Sequence, residues 1–213
     1  MKVYFISGLG ADERAFRSLR LTDIEPVFLN WISPLPGENI EGYANRMAQR
    51  IEEPDPIIVG LSFGGMISVE IAKQIPVKKL ILISSAKGEN ELPPFFRMGR
   101  FVPLHKLIPA HIPKNAASVF FRLAGHRNKE QQDTLVAMFN SSPKGFVRWA
   151  VNAVVHWENK KRPGNLVHIH GNTDWLLPYR YVKADHTIDK GGHIMIANQA
   201  KEIDSLLHKL LFE

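Results

Sequence analysis

The pentapeptide Gly60-Leu61-Ser62-Phe63-Gly64 is the part of this chain best suited to chemistry. A serine hydroxyl is a poor nucleophile unless a base removes its proton as it attacks. It must also stand clear of its neighbours, so that base and substrate reach it together. A sharp passage from strand into helix does this but crowds the backbone, and glycine two residues to either side relieves the crowding. The apolar run Pro56 to Leu61 reads as a buried strand and the residues after Ser62 as a helix, which places the serine on such a passage. The helix start also brings unpaired N–H groups and a positive dipole end to the place where negative charge would develop. The chemistry indicated is nucleophilic attack on a carbonyl.

A base, and a group to orient it, should lie at the ends of later strands. After the strand-like LVHIH comes HGNTDWLLP, with Asp174 four residues past His170. After the next strand comes DKGGHIMI, where His193 follows two glycines and precedes the last helix. Asp185 and Asp189 are also near His193 in sequence, but Asp189 lies too close along the same loop to reach the far ring nitrogen. His168 and His170 alternate on a strand near Asp174; without further ligands at suitable spacing they do not read as a metal site.

The elements that must position these groups alternate. Lys2–Ile6 reads as a first strand, followed by a short helix through Leu19 that Asp12 could cap. Pro26–Leu29 reads as a second strand. Ile40, Tyr43, Ala44, Met47 and Ile51 keep helical spacing on one face, and Ile67, Ile71 and Ile75 do so on the helix ended by Pro76. Lys79–Ser84 reads as the fourth strand. This rhythm predicts a parallel sheet of about six strands with helices on both faces. From Lys87 to Pro163 the strand signal stops. Helices are expected over Ala116–Ala124, over Lys129–Phe139, and from a Ser142-Pro143 start through Trp157. The sheet resumes with Leu166–His170 and Val182–Ile188, and Asn198–Phe212 closes the chain with Ile203, Leu206, Leu207, Leu210 and Leu211 inward. The domain reading is a core of 1–86 and 164–213 with a helical insertion at 87–163.

Composition narrows the classes. With 213 residues, 45% hydrophobic and 23% charged, the chain suits one core plus an insertion. No apolar run reaches the roughly 18 residues of a membrane span. There is no cysteine, so disulfides, thiolate metal sites and a cysteine nucleophile are excluded; a cytoplasmic location is expected. Residues 87–163 hold 13 Lys/Arg against 5 Asp/Glu, while the rest of the chain is net −2. That segment is either a solvated basic face or an attraction for anionic substrates. No nucleic-acid motif accompanies the charge.

Serine, aspartate and histidine in this order, each after a strand, resemble the α/β-hydrolase superfamily, with GLSFG as nucleophile elbow, HGNTD as acid loop and GGH as histidine loop. The resemblance runs from about Val3 to Leu211. It implies that Ser62 attacks, His193 accepts its proton and Asp174 orients the imidazole. It implies an oxyanion site from the backbone N–H groups of Phe63 and of Leu9, the latter in the loop after the first strand. It places 87–163 where many members carry a helical cap, with Phe95, Phe96, Phe120 and Trp149 as candidate substrate walls. The chain departs from many members in lacking an N-terminal hairpin and in having Ser7-Gly8 where they have His-Gly. The resemblance implies a serine hydrolase for a small acyl substrate (ester, thioester or related bond) with no cofactor. A lyase with the same three residues and a non-catalytic binding protein stay open as alternatives.

Overall fold

The structure, a computed structural model, describes residues 1–101 and 129–213. Six strands form one sheet: β1 (Lys2–Ile6), β2 (Glu25–Phe28), β3 (Ile57–Leu61), β4 (Lys79–Ile83), β5 (Leu166–Gly171) and β6 (His186–Ile188). Their order is β2-β1-β3-β4-β5-β6 and every pairing is parallel. The register sets Ile6 beside Gly60, Leu61 beside Ile83 and Gly171 beside Ile188. Carboxyl ends of the central strands therefore finish along one edge, and the loops that leave them are neighbours.

Side chains alternate across this sheet, as strand geometry requires. Tyr4, Ile6, Ile58, Leu80 and Leu82 face helices α1 (Ile40–Ala48) and α2 (Phe63–Ala72). Val3, Phe5, Val59, Ile81 and Ile83 face Phe16, α6 (Met195–Asn198) and α7 (Ala200–Phe212). Strand β3 is buried along its whole length, which is why it reads as an unbroken apolar run. On α7, Ile203, Leu207 and Leu211 are buried, and Leu206 and Leu210 pack at the margin.

Between β4 and β5 the described elements are helical: α3 (Pro94–Met98), α4 (Lys129–Ser141) and α5 (Phe146–Val155). The expected helix Ala116–Ala124 and residue Phe120 lie outside the described residues. Both ends of this inserted stretch are fastened to the core. Buried Glu70 of α2 accepts from Trp157 Nε1 at 2.7 Å and pairs with Lys73 Nζ at 2.7 Å. Asn159 donates to the Lys87 carbonyl at 2.8 Å, and its own carbonyl accepts from Glu89 N at 2.9 Å. A buried carboxylate is tolerable only with such partners.

Several local expectations are corrected. Ser142-Pro143 ends one helix instead of starting the next: Ser142 Oγ donates to the Met138 carbonyl, and α5 begins after Gly145, whose φ of 78° is a glycine conformation. After Asp12, which does accept from Arg14 N, only a single 3-10 turn forms, Glu13–Phe16. Strand β6 is limited to His186–Ile188, because the Lys183 N–H donates to Glu91 Oε1 and its carbonyl accepts from Lys87 Nζ, so this part of the chain bonds to side chains instead of to β5. The final helix, expected from Asn198, runs over Ala200–Phe212, and Met195–Asn198 forms a separate short helix before it.

Helix α2 sits so close to β1 that a Cβ on Gly64 would lie deep inside the Ile6 and Ser7 carbonyl oxygens, which are backbone and cannot yield. Gly64→Ala should therefore lower unfolding free energy by about 3 kcal/mol or more, the upper end for overpacking. Gly192→Ala, with nothing within 4 Å of the added atom, should change it by less than about 0.5 kcal/mol. Urea unfolding of the two variants checks the contrast.

Candidate functional site

Ser62 follows β3 directly and takes φ 52° and ψ −120°, a conformation that costs a residue with a side chain on the order of 1–3 kcal/mol. Packing holds it there. Its N–H donates to the Ile83 carbonyl at 2.9 Å, and its own carbonyl accepts from Ser85 Oγ at 2.7 Å and from Gly65 N at 2.9 Å. At Gly60, a Cβ would come within 2.5 Å of the Gly65 Cα, so this approach of strand and helix is open to glycine alone.

The acid and histidine loops are stitched together beside it. Thr173 donates through both its N–H and its hydroxyl to the Gly191 carbonyl, at 2.9 and 3.0 Å. Asn172 donates to Asp189 Oδ1, and Lys190 N donates to Asn172 Oδ1. The three sequence-predicted residues meet across these loops. Ser62 Oγ lies 2.9 Å from His193 Nε2, and His193 Nδ1 lies 2.8 Å from Asp174 Oδ2. A carboxylate only accepts, so Nδ1 carries the proton and Nε2 is left as an acceptor toward the serine hydroxyl. Asp189 is engaged with Asn172, and Asp185 pairs with Arg162 and accepts from His168 N. Neither competes for His193.

Asp174 is 4% exposed. Burial alone would raise its pKa. The hydrogen bonds from His193 and the Leu177 N–H outweigh that and hold it below the usual carboxylate value. Its Oδ1 accepts from the N–H groups of Leu176 and Leu177, both at 2.9 Å, which fixes the carboxylate plane. His170, fully buried on β5, donates from Nε2 to the Leu177 carbonyl at 2.9 Å. Its ring meets that of His168 edge to face at 5.2 Å, and among the described residues neither nitrogen of His168 has a hydrogen-bond partner. Burial lowers the pKa of both histidines, that of His168 strongly, and keeps them neutral.

The loop after β1 passes against the serine: a Cβ on Gly8 would lie 3.5 Å from Ser62 Cβ. Ser7 Oγ donates to the Ala11 carbonyl at 2.7 Å, closing the loop as a tight turn without a histidine at that position. Among the described residues neither Leu9 N–H nor Phe63 N–H donates to a protein acceptor. For Phe63 this follows from its place at the first turn of α2.

A cleft of about 380 Å³ includes Ser62 and His193 in its wall. Its lining is mainly apolar, from Phe96, Leu135, Met138 and Val151 of the helices between β4 and β5 and from Ile194 and Ile196 at the start of α6 and within it. Arg14, Arg17 and Trp175 also border it. Of the candidate walls, Phe96 lines the cleft. Phe95 is half-exposed and stacks on Phe96. Trp149 turns into the core, 4.2 Å from the Tyr43 ring, with its Nε1 donating to the Glu38 carbonyl. Its helix has two apolar faces, and sequence spacing does not say which faces the cleft. Leu135 and Met138 were missed, although they share one face of α4. The cleft's described cations, Arg14 and Arg17, come from the loop after β1 and not from the basic insertion; Arg14 is paired with Asp12.

Residues 3–204 match the model of the alpha/beta hydrolase family, and the chain belongs to that family. No curated protein matches it significantly in sequence. Among solved structures it is similar to a thermophilic esterase from Thermogutta terrifontis (TM-score 0.71, 17% identity, covering 99% of this chain and 89% of that one). It is also similar to a carboxylesterase structure from Nitrososphaera gargenis (TM-score 0.73, 16% identity, 99% and 89% covered). A hydrolase from Pseudomonas aeruginosa gives TM-score 0.75 at 12% identity, with 100% and 90% covered. At these identities the likeness is one of fold.

The buried neutral histidines make stability depend on pH. Their folded pKa values are depressed, so below about pH 6.5 the unfolded chain takes up protons that the folded chain refuses, and stability falls as pH falls. Asp174 adds a second loss only in the more acidic range near its own titration. His168→Leu should flatten the decline between about pH 7 and 5 in urea unfolding while leaving the more acidic loss in place.

Proposed function

We propose that this chain is a serine hydrolase that cleaves a carboxylic ester, thioester or related acyl bond through an acyl-enzyme on Ser62. The observation that carries the reading is the continuous path from Ser62 Oγ through His193 to Asp174, at 2.9 and 2.8 Å. Ser62 Oγ attacks the substrate carbonyl carbon as His193 Nε2 takes its proton. The carbonyl π electrons move to oxygen, and the N–H groups of Leu9 and Phe63 stabilise that oxyanion. Collapse expels the leaving group, which receives the proton from His193. Water, deprotonated by the same imidazole, then releases the acid and restores Ser62. Asp174 holds the Nδ1–H tautomer throughout and stabilises the imidazolium. Each step is made by side chains and backbone of this chain.

The cleft supports an apolar acyl group on the substrate. Its wall presents mostly large apolar side chains, Phe96, Leu135, Met138, Val151, Ile194 and Ile196 among them, around a few polar atoms, the pattern of a site that selects by burial. The helices between β4 and β5 act in this reading as a cap that supplies Phe96, Leu135, Met138 and Val151.

A fluorophosphonate should add once to the protein, at Ser62, and not to Ser62→Ala, as intact-mass spectrometry reads. Across p-nitrophenyl esters, kcat/KM should rise from acetate to medium-chain acyl groups as more CH2 groups are buried. Asp174→Asn should lower kcat about 10³–10⁴-fold, because the imidazole loses the group that fixes its tautomer. A folded wild type that takes no label would remove the reading.

A further inference from the structure

The two candidate oxyanion donors share a feature on their hidden side. A trans peptide is planar, so its carbonyl and its N–H point in opposite directions, and whatever fixes one fixes the other. Leu9 N–H belongs to the peptide whose carbonyl is that of Gly8. This oxygen accepts from Trp31 Nε1 at 3.2 Å and from Ala11 N at 3.0 Å. Phe63 N–H belongs to the peptide whose carbonyl is that of Ser62. This oxygen accepts from Ser85 Oγ at 2.7 Å and from Gly65 N at 2.9 Å. In each case a buried side chain holds the peptide from behind.

We propose that Trp31 and Ser85 are positioning residues that hold these two peptide planes with their N–H groups toward the reacting carbonyl. The proposal rests on the serine-hydrolase reading and goes beyond it. Trp31 is needed where it is because Gly8 leaves its own ψ almost unrestrained, so the Gly8–Leu9 peptide could rotate and carry the Leu9 N–H away. The indole is itself immobilised, stacked 4.7 Å from the Phe146 ring and tilted against that of Phe63 at 5.5 Å. Ser85 lies just past β4, after Ser84 at φ 48°, and a side chain at Gly65 would collide with its hydroxyl. Hydrogen bonds to a peptide oxygen also polarise its N–H, which strengthens that donor in a buried setting.

Trp31→Phe keeps an aromatic ring in the stack and removes the indole N–H; Ser85→Ala removes the hydroxyl. Each variant should lower kcat about tenfold, less than the 10²–10³ for loss of a whole donor, with KM changed less than about twofold. A trifluoromethyl ketone, which forms a reversible hemiketal on Ser62 and bears the same oxyanion, should lose affinity in parallel with kcat/KM. Ser85→Cys, a weaker donor of similar size, should fall between wild type and Ser85→Ala. Thermal melts confirm that each variant is folded, and because the two clamps act on separate peptides, either variant alone decides its own clamp. Folded variants with wild-type kcat, or with lower kcat but unchanged ketone affinity, would overturn the proposal while the hydrolase reading stands. A wild type that neither fluorophosphonate nor ester engages would overturn both.

Discussion

The site depends first on how tightly α2 is seated against β1 and β3. Gly60, Gly64 and Gly65 bring helix backbone against strand backbone with no side chain between them. That seating forces the chain to turn at Ser62 in a left-handed conformation, and it puts the loop after β1 beside the serine hydroxyl. It also leaves the first N–H groups of α2 without helical partners at the same point. The turned serine, its neighbouring loop and the helix dipole thus come from one packing constraint, which the parallel register carries to the ends of β5 and β6.

The second layer is polar and largely buried. Asp174 gains two backbone donors and one imidazole, enough to remain ionised against its own desolvation. Its loop neighbour His170 is neutral and bonded to Leu177, so it braces the acid loop without adding charge. His168 has no such role. It is a second buried polar ring on β5, where burial lowers its pKa.

Much of this was legible because the controlling signals are short-range. The run to Leu61, the glycines around Ser62 and the strand ends before Asp174 and His193 are local patterns, and the structure brings those three side chains together. The helix after Ser142 starts later because Gly145 acts as a break that the apolar spacing conceals, and strand β6 is shorter because Glu91 and Lys87, distant in the chain, take the Lys183 backbone groups. The lining of the cleft was less legible still. Phe96, Phe95 and Trp149 are equivalent as apolar residues in sequence; only the packing of α5 on Trp31, Tyr43 and Phe63 turns Trp149 inward and leaves the cleft to Leu135, Met138 and Val151. The contacts of Trp31 and Ser85 join residues far apart in the chain, and no spacing rule reaches them.

The anchoring of the inserted stretch has a consequence for how the molecule can vary. Glu70, Lys73, Trp157 and Asn159 close the two ends of the insertion at its root, so the sheet meets the same two chain ends whatever lies between them. Closing a longer loop on fixed ends adds only about 0.6 kcal/mol per doubling of its length. The root therefore works as a socket. The segment that shapes the cleft can lengthen, shorten or be exchanged, and change the shape of the cleft, while Ser62, Asp174 and His193 at the strand ends stay in register.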